Sequence, residues 1–237
     1  MSFLILIRHG QSVWNLEKKF TGWVDVELTE NGKLEAEKAG LLIKSKNIDI
    51  DYYYSSFQLR ANNTIEIIKK ILDDKKNFTR AWQLNERHYG SLTGLNKDEI
   101  KKKIGETKVH EFRRSWEMKP DALSKESPHH PINIGTYNEI PRALIPDTES
   151  LKDTYKRVLK YFEDEIQKKL TKKNILISAH GNSIRALCKY LFKLDNNQIS
   201  NLEIPTGNPL VIELNKESKI TNCEYLDKER AKSLLVF

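Results

Sequence analysis

Two apolar runs in the chain lead into the same kind of polar segment. Residues 3–7 and 175–177 are uninterrupted apolar stretches, and each is followed by a His-Gly-x-Ser tetrapeptide, which begins at His9 and at His180. Apolar runs without alternation are typical of strands buried on both faces, which belong mostly to parallel sheets covered by helices. Ligands bind at the carboxyl ends of such strands, so the pattern predicts that His9 and His180 share the ligand-binding edge of one sheet.

The rest of the pattern alternates strands with helices. It predicts further strands over residues 50–55, 78–84 and 209–214 and helices after the N-cap Thr29, over 59–72, from about 148 to 166 and over 183–192. Leu34, Ala39, Leu41 and Leu42 are expected on the apolar face of the helix after Thr29. This order predicts an α/β fold with three layers, α/β/α, around a mostly parallel central sheet. Because the last strand begins with Pro209, we expect it at an edge, where it can be antiparallel.

Residues 92–139 break this alternation. Short lysine-rich helical segments are followed by a stretch with little periodicity that contains Pro120, Pro128 and Pro131. A long segment of this kind inside a compact domain is usually functional or disordered, and a cover over the site is the functional option. We therefore expect one domain over residues 1–237, with a helical and loop insert that covers the site.

Composition limits the class of protein. With 237 residues and 38% hydrophobic content, the chain can bury a substantial core. The N-terminal apolar run is too short for a signal peptide or for the roughly 20 residues of a membrane span, so we expect a cytoplasmic protein without a membrane partner. The two cysteines, Cys188 and Cys223, exclude a disulfide framework and a cysteine-rich zinc site.

The net charge of +7 suggests an anionic partner. Most lysines, however, stand in short pairs on helical patterns, such as Lys69-Lys70 and Lys172-Lys173, and such pairs are typical of solvated helix faces. Because no basic motif interleaved with aromatic residues accompanies them, a nucleic-acid partner is not expected.

Polar side chains that follow the predicted strands form the candidate site. Five of them carry most of the chemistry: Arg8, His9, Arg60, Glu86 and His180. Two histidines and a glutamate could bind zinc or iron. Permanent arginine charges, however, repel a divalent cation and suit a phosphate, which accepts paired guanidinium hydrogen bonds. The site is therefore predicted to bind phosphate without a metal.

Such a site can transfer a phosphoryl group. One histidine can act as nucleophile toward phosphorus, while the arginines and the second histidine neutralise the transferring group. Glu86 is partly desolvated in this arrangement and can exchange a proton with a substrate hydroxyl. The alternatives are structural: His9 as a hydrogen-bonded turn residue, and Arg60 and Glu86 as members of ordinary ion pairs.

Four longer motifs carry a resemblance to a known family. They are Leu6-Ile7-Arg8-His9-Gly10, Asn85-Glu86-Arg87-His88-Tyr89-Gly90, Arg113-Arg114-Ser115 and Ala179-His180-Gly181-Asn182-Ser183. Over about residues 4–213 the chain resembles the bisphosphoglycerate-dependent phosphoglycerate mutases of the histidine phosphatase superfamily. The Arg-His-Gly sequence by itself indicates only the superfamily, whereas the second and third motifs point to the mutase branch.

The resemblance implies a reaction and a set of site residues. His9 would be the phosphohistidine, charged first by 2,3-bisphosphoglycerate, and Glu86 would transfer the proton. The net reaction would be the interconversion of 2- and 3-phosphoglycerate in glycolysis and gluconeogenesis, by an isomerase that needs no metal. Around the phosphoryl group the resemblance implies His180, Arg8 and Arg60, and for substrate binding Ser12, Asn15, Thr21, Gly22, Tyr89, Lys97, Arg113, Arg114, Gly181 and Asn182. It also implies a homodimer or homotetramer.

The chain departs from the family's pattern in three places. Gln11 stands where glutamate is common, and Ala61-Asn62-Asn63-Thr64 stands where a histidine often precedes the threonine. Both changes are expected to be tolerated. The chain also ends soon after Leu235. Because the family's C-terminal tail often helps to close the site, we expect this departure to affect closure of the site and the side phosphatase activity.

Three other functions remain open. A phosphatase on the same fold would transfer the phosphoryl group to water, although an insert that supplies Lys97, Arg113 and Arg114 favours exclusion of water and hence a mutase. A bisphosphoglycerate mutase would use the same residues mainly to make the bisphosphate. A protein that binds nucleic acid or an anionic surface would use the positive charge and would not need His9.

Overall fold

A computed structural model describes residues 1–231, and a six-stranded sheet lies at the centre of the fold. The strands are β1 (Ser2–Arg8), β2 (Tyr52–Ser55), β3 (Phe78–Arg80), β4 (Ile175–Ala179), β5 (Leu210–Leu214) and β6 (Ile220–Tyr225). The α-helices of the described residues are α1 (Val13–Leu16), α2 (Glu30–Ser45), α3 (Leu59–Leu72), α4 (Lys97–Ile104), α5 (Glu106–Arg114), α6 (Leu151–Tyr161), α7 (Gly181–Leu191) and α8 (Asn196–Asn201). A π-helical segment, Phe162–Ile166, continues α6. No helix in this part of the chain is both long and apolar enough to cross a membrane.

The sheet has the order β3-β2-β4-β1-β5-β6. Strands β1 to β4 are parallel, and β5 is antiparallel to β1 and to β6, so the predicted mostly parallel sheet is confirmed. The expectation that residues 209–214 lie at an edge is wrong, because β6 pairs with β5 and takes the edge position. The sequence does not reveal β6, since the polar residues Thr221, Asn222 and Glu224 leave it without an apolar pattern.

Alternate side chains of the central strands enter two separate hydrophobic cores. Leu4 and Leu6 pack with residues of α6 and α7 on one face of the sheet. Ile5 and Ile7 pack with residues of α2 and α3 on the other face. All four side chains are at most 1% exposed, which explains the absence of polar residues from positions 3–7 of this strand. The predicted three-layer α/β/α arrangement is therefore confirmed.

Helix α2 begins where the sequence predicts but buries a different face. The side chain of Thr29 accepts a hydrogen bond from the backbone N–H of Gly32 and caps the helix. Of the residues expected on the apolar face, Ala39 is buried, whereas Leu34 and Leu41 are 62% and 58% exposed. The buried face consists mainly of small residues, because α2 and α3 are close: a Cβ on Gly40 would lie 2.8 Å from Cβ of Ile71.

The third predicted strand is shorter than expected. Residues 78–84 divide into β3 and a 3₁₀ turn, Trp82–Leu84, because the chain leaves the sheet before it reaches Asn85. The predicted insert contains α4 and α5, followed by further 3₁₀ turns, including Gly135–Tyr137. It is attached to the loop after β1, since the ring of Tyr137 packs 5.0 Å from that of Trp23. The short tail after Leu235 lies outside the described residues, so the expectation about closure stays a prediction.

The loop that carries His9 rests directly on the start of α2. A Cβ on Gly32 would lie 2.0 Å from the carbonyl oxygen of Gln11, and a Cβ on Gly10 would lie 2.1 Å from the carbonyl oxygen of Gly32. Both contacts involve backbone, which cannot move aside as a flexible side chain can. The two glycines therefore allow the close approach that fixes the backbone next to His9.

Replacement of Gly32 by alanine should therefore destabilise the protein and displace the loop that carries His9. We expect Gly32→Ala to lower the free energy of unfolding by about 1–3 kcal/mol, as is usual for overpacking of a close contact. Urea denaturation measures the change. Gly135→Ala is the matched control, because a Cβ there would meet only one side-chain atom, at 4.0 Å. Equal stability of the two variants would contradict the role given to the close contact between Gly32 and Gln11.

Candidate active site

The pairing of β1 with β4 brings the two His-Gly segments together. Arg8 is the register partner of Ala179, so His9 and His180 follow at the same edge of the sheet. Their ring centroids are 5.0 Å apart, and the side chains are at most 2% exposed. Two residues that are 171 positions apart in sequence thus share one site because their strands are parallel neighbours.

Hydrogen bonds fix the protonation pattern of His9. Its Nε2 lies 3.2 Å from Nε of Arg60, and its Nδ1 lies 2.7 Å from the carbonyl oxygen of Gly10. A guanidinium group can only donate, so Nε2 carries the lone pair and Nδ1–H donates to Gly10. Burial, together with the charges of Arg60 and Arg8, lowers the pKa of His9 well below 6.5, and the ring is neutral at pH 7. Nε2 is therefore an available nucleophile.

Arg60 is held in place by backbone carbonyl groups. As predicted, it lies in the first turn of α3, and it is 1% exposed. It donates from Nη1 to Val24 at 2.9 Å and from Nη2 to Gly22 at 3.0 Å. No carboxylate neutralises it in these contacts, so its charge remains directed toward His9 and the pocket.

His180 sits at the start of α7 behind His9. Its Nε2 lies 2.8 Å from Oγ of Ser56, and its backbone N–H donates to Oγ of Ser183 at 3.0 Å. Burial and the charge of Arg60 lower the pKa of His180 well below 6.5, with a further contribution from His9. The second histidine is thus a neutral, oriented polar group at the edge of the sheet.

Glu86 reaches the same pocket from the loop after β3. Its Oε1 accepts hydrogen bonds from the backbone N–H groups of Arg87, at 2.8 Å, and Asn182, at 3.2 Å. Its own N–H donates to Oε1 of Gln58 at 2.9 Å, and the side chain is 8% exposed. The local ion pair with Arg87 that the sequence left open is not the contact observed, because backbone amides hold the carboxylate.

A buried ion pair supports this loop from behind. Arg157 on α6 donates from Nε to Glu149 at 2.7 Å and from Nη2 to the carbonyl oxygen of Glu86 at 2.9 Å. Glu149 in turn accepts from the backbone N–H of His88 at 2.8 Å. The chain around Glu86 is therefore fixed by a charged pair that the sequence analysis did not single out.

The pocket is lined by an excess of cations. Within residues 1–231, seven cationic side chains and one carboxylate, Glu86, face it. The full lining is Arg8, His9, Asn15, Lys19, Thr21, Gly22, Arg60, Glu86, Tyr89, Lys97, Arg113, Arg114, Gly181, Asn182 and Arg185. Helices α4 and α5 of the insert contribute Lys97, Arg113 and Arg114, so the insert forms part of the wall. This arrangement suits a small polyanion.

Similar proteins exist along the whole chain. Residues 4–133 and 115–223 match the histidine phosphatase superfamily, branch 1. A 2,3-bisphosphoglycerate-dependent phosphoglycerate mutase of Pelagibacter ubique (strain HTCC1062) is 67% identical over 100% of both chains. The mutase of the same name from Caulobacter sp. (strain K31) is 47% identical over 99% of this chain and 98% of its own. The chain belongs to this mutase family of the histidine phosphatase superfamily.

Solved structures support the same fold at lower identity. A structure named mycobacterial hydrolase 1 is 19% identical, with a TM-score of 0.70 over 95% of this chain and 97% of its own. A mycobacterial glucosyl-3-phosphoglycerate phosphatase in complex with VO3 is 20% identical, with a TM-score of 0.69 over the same shares. At these identities the likeness concerns the histidine phosphatase fold alone.

The structure places most of the residues implied by the mutase resemblance in one pocket. Ser12 is the exception on the substrate-binding side, since it is fully buried and caps α1 through Asn15. His180 lies behind the pocket wall, in ring contact with His9. Sequence reasoning missed Lys19 and Arg185. Arg185 had a signal, because it stands in the first turn of a predicted helix after a strand, as Arg60 does.

No metal cluster replaces this arrangement within the described residues. Residues 1–231 hold no group of three or more histidine, cysteine or carboxylate side chains suited to a metal ion. A cation among seven positive side chains would also be repelled. That the activity needs no metal stays a prediction, which a chelator can test.

The buried neutral histidines should make the stability of this protein depend on pH. Burial lowers the pKa of His9, His180 and, to about 3, His88. Below about pH 6.5 the unfolded chain binds protons at these histidines and the folded chain does not, so the free energy of unfolding falls. The expected slope is about 1.4 kcal/mol per pH unit for each histidine, between about pH 6 and pH 5.

Urea denaturation at a series of pH values measures this slope. His9→Gln should reduce it by the share of one histidine, because glutamine does not titrate. A free energy of unfolding that stays constant between pH 7 and pH 5 would show that the folded protein protonates these rings.

Proposed function

We propose that this protein interconverts 2-phosphoglycerate and 3-phosphoglycerate through a phosphohistidine at His9, in glycolysis and gluconeogenesis. The observation that carries the proposal is the lone pair of His9 Nε2, held beside Arg60 in a pocket that Glu86 shares. The names of the similar proteins point to the same reaction. Such an enzyme is an isomerase whose working form must first receive a phosphoryl group from 2,3-bisphosphoglycerate.

His9 is proposed as the nucleophile. Its Nε2 forms a bond to phosphorus as the bond from phosphorus to the glycerate oxygen breaks. Arg8 and Arg60 neutralise charge on the equatorial oxygens, and His180 contributes a fixed dipole. The N–H of His9 Nδ1 keeps its bond to Gly10, which holds the ring in place while the phosphoryl group is attached.

Glu86 is proposed as the group that moves the proton. It protonates the glycerate oxygen that leaves phosphorus, and in the reverse step it takes the proton from the hydroxyl that attacks phosphohistidine. Two backbone N–H groups hold the carboxylate in the pocket for both steps. The positions of the two phosphates on the glycerate exchange when the bisphosphate turns over before the second transfer.

The remaining cations and polar groups are proposed to bind the substrate. Those placed on the pocket wall are Asn15, Thr21, Gly22, Tyr89, Lys97, Arg113, Arg114, Gly181 and Asn182. Lys97, Arg113 and Arg114 add to the charges of Arg8 and Arg60, and such a cluster of cations suits a ligand with two phosphates and a carboxylate, as 2,3-bisphosphoglycerate has. Ser12 is proposed to act indirectly, through the turn that presents Asn15.

The wider setting of the enzyme is also inferred. We propose that residues 1–237 form one domain with residues 92–139 as an insert, and that the protein is a cytoplasmic homodimer or homotetramer that acts on free phosphoglycerates. These inferences follow from the proposed glycolytic reaction and the family likeness. Light scattering of the purified protein tests the oligomeric state.

The assay that tests this proposal follows the conversion of 3-phosphoglycerate. Purified protein should form 2-phosphoglycerate only after priming with 2,3-bisphosphoglycerate, and chelators should have no effect. His9→Ala should lower kcat by about 10⁴-fold or more, since the nucleophile is lost. A requirement for a divalent metal, or release of mainly free phosphate, would reject the mutase in favour of a metal enzyme or a phosphatase.

Lys97 should make substrate binding depend on pH. Burial and the charges of Arg113 and Arg8 lower the pKa of Lys97 to about 8. As the pH rises from 7 to 9, the side chain loses its charge while the substrate phosphate stays fully ionised. We expect KM for 3-phosphoglycerate to rise by up to about tenfold over this range.

The matched variant is Lys97→Arg, which keeps its charge throughout. Its KM should stay nearly constant between pH 7 and pH 9. An equal rise of KM in the wild type and in Lys97→Arg would show that another group causes it.

A further inference from the structure

Arg185 lines the pocket, yet neither the sequence motifs nor the proposed reaction gives it a role. It lies at the start of the second turn of α7 and is 5% exposed. Its Nε donates to the carbonyl oxygen of Leu202 at 2.7 Å, and its Nη1 donates to Oδ1 of Asn182 at 3.2 Å. The guanidinium group is therefore fixed at both ends rather than free to follow a ligand.

This fixation determines the orientation of the neighbouring amide. A guanidinium group has no acceptor, so the oxygen of Asn182 must face Arg185 and its NH₂ group must face away. The NH₂ group lies 3.1 Å from the hydroxyl oxygen of Tyr89 and donates to it. The hydroxyl of Tyr89 is thereby an acceptor toward Asn182, and its own proton is available to the pocket.

At its other end, Arg185 shares a hydrogen-bond acceptor with Arg114, a second arginine of the pocket. The carbonyl oxygen of Leu202 also accepts from Nη1 of Arg114 at 3.5 Å. Arg114 carries an ion pair with Glu203 at 2.9 Å. Arg185, Asn182 and Tyr89 therefore form a chain of hydrogen bonds that begins at the carbonyl group anchoring Arg114 and ends at a hydroxyl on the pocket wall.

We propose that Arg185 is a positioning residue that makes the Tyr89 hydroxyl a hydrogen-bond donor to the non-transferring part of the substrate. The inference rests on the proposed function and deepens it. A substrate with a second anionic group accepts this hydrogen bond, whereas a simple monophosphate leaves it unused. Arg185 thus favours phosphoglycerates over monophosphates that lack a carboxylate, without contributing to the chemistry at His9.

Arg185→Lys is the first test, since lysine keeps the charge but cannot make both hydrogen bonds in this geometry. KM for 3-phosphoglycerate should rise about tenfold, as expected for loss of a hydrogen bond to a charged group. The kcat at saturating 3-phosphoglycerate should change less than twofold, because Arg185 does not contribute to the chemistry at His9. A wild-type KM in Arg185→Lys would overturn the proposal, because charge alone would then suffice.

A double-variant cycle tests the proposed route through Tyr89. Tyr89→Phe should raise KM for 3-phosphoglycerate about as much as Arg185→Lys does, and the double variant should show no further rise, because both remove the same hydrogen bond. Independent effects that multiply in the double variant would overturn the proposal. Arg185→Gln, in the same cycle, provides a second variant that lacks the fixed guanidinium.

Lys18→Met is the control for loss of a cation near the pocket. Lys18 is exposed, pairs with Asp98 at 2.7 Å and does not line the pocket. The KM of Lys18→Met should stay within twofold of the wild-type value. A tenfold rise would show that loss of any positive charge near the pocket causes the effect seen at Arg185. Absence of mutase activity in the wild type would reject the proposed function, whereas an active wild type with multiplicative variants rejects only the role of Arg185.

Discussion

The site depends on a neutral imidazole held between a carbonyl group and a guanidinium group. His9 donates to the Gly10 carbonyl and receives from Arg60, so Nδ1 anchors the ring and Nε2 keeps the lone pair that the proposed reaction uses. Burial alone would leave the ring neutral but free to choose its tautomer. The charge of Arg60 alone would keep it neutral but would not place it. The combination requires the end of β1 to lie beside α3, which the parallel sheet provides.

Carbonyl groups anchor most of the cations of the pocket and leave their positive charge without a neutralising partner. Arg8 donates to Ile204 at 2.8 Å, Arg60 to Gly22 and Val24, and Arg185 to Leu202. Lys97 donates to the carbonyl oxygen of Lys19. A carboxylate partner would fix such a side chain equally well but would cancel its charge. Neutral anchors leave the mutual repulsion of the cations to be relieved by an anionic substrate, which favours polyanions over neutral sugars.

The sequence was sufficient where a single strong pattern determined the outcome. The apolar runs before His9 and His180 predicted strands with neighbouring ends, and helix 59–72 was predicted with its observed bounds. The sequence was insufficient where tertiary contacts determined the structure. Leu34 and Leu41 are exposed because α2 needs small residues against α3, and β6 forms because β5 offers a free edge to a polar segment. The roles of Gln58 and Arg157 depend on contacts between segments that are distant in sequence, which no local pattern records.

The fold by itself does not decide between water and a glycerate hydroxyl as phosphoryl acceptor, because a protein named as a phosphatase has the same architecture. The difference must therefore lie in the walls of the pocket. Here α4 and α5 supply Lys97, Arg113 and Arg114, and the insert is tied to the core by hydrogen bonds such as that from Arg87 to the Phe112 carbonyl group. In the proposed reaction these cations hold the bisphosphate, once it has formed, beside the free His9, so that its second phosphate can return a phosphoryl group to the ring while access of water is limited. Retention of the intermediate, rather than a different nucleophile, is then the physical basis of a mutase on this fold.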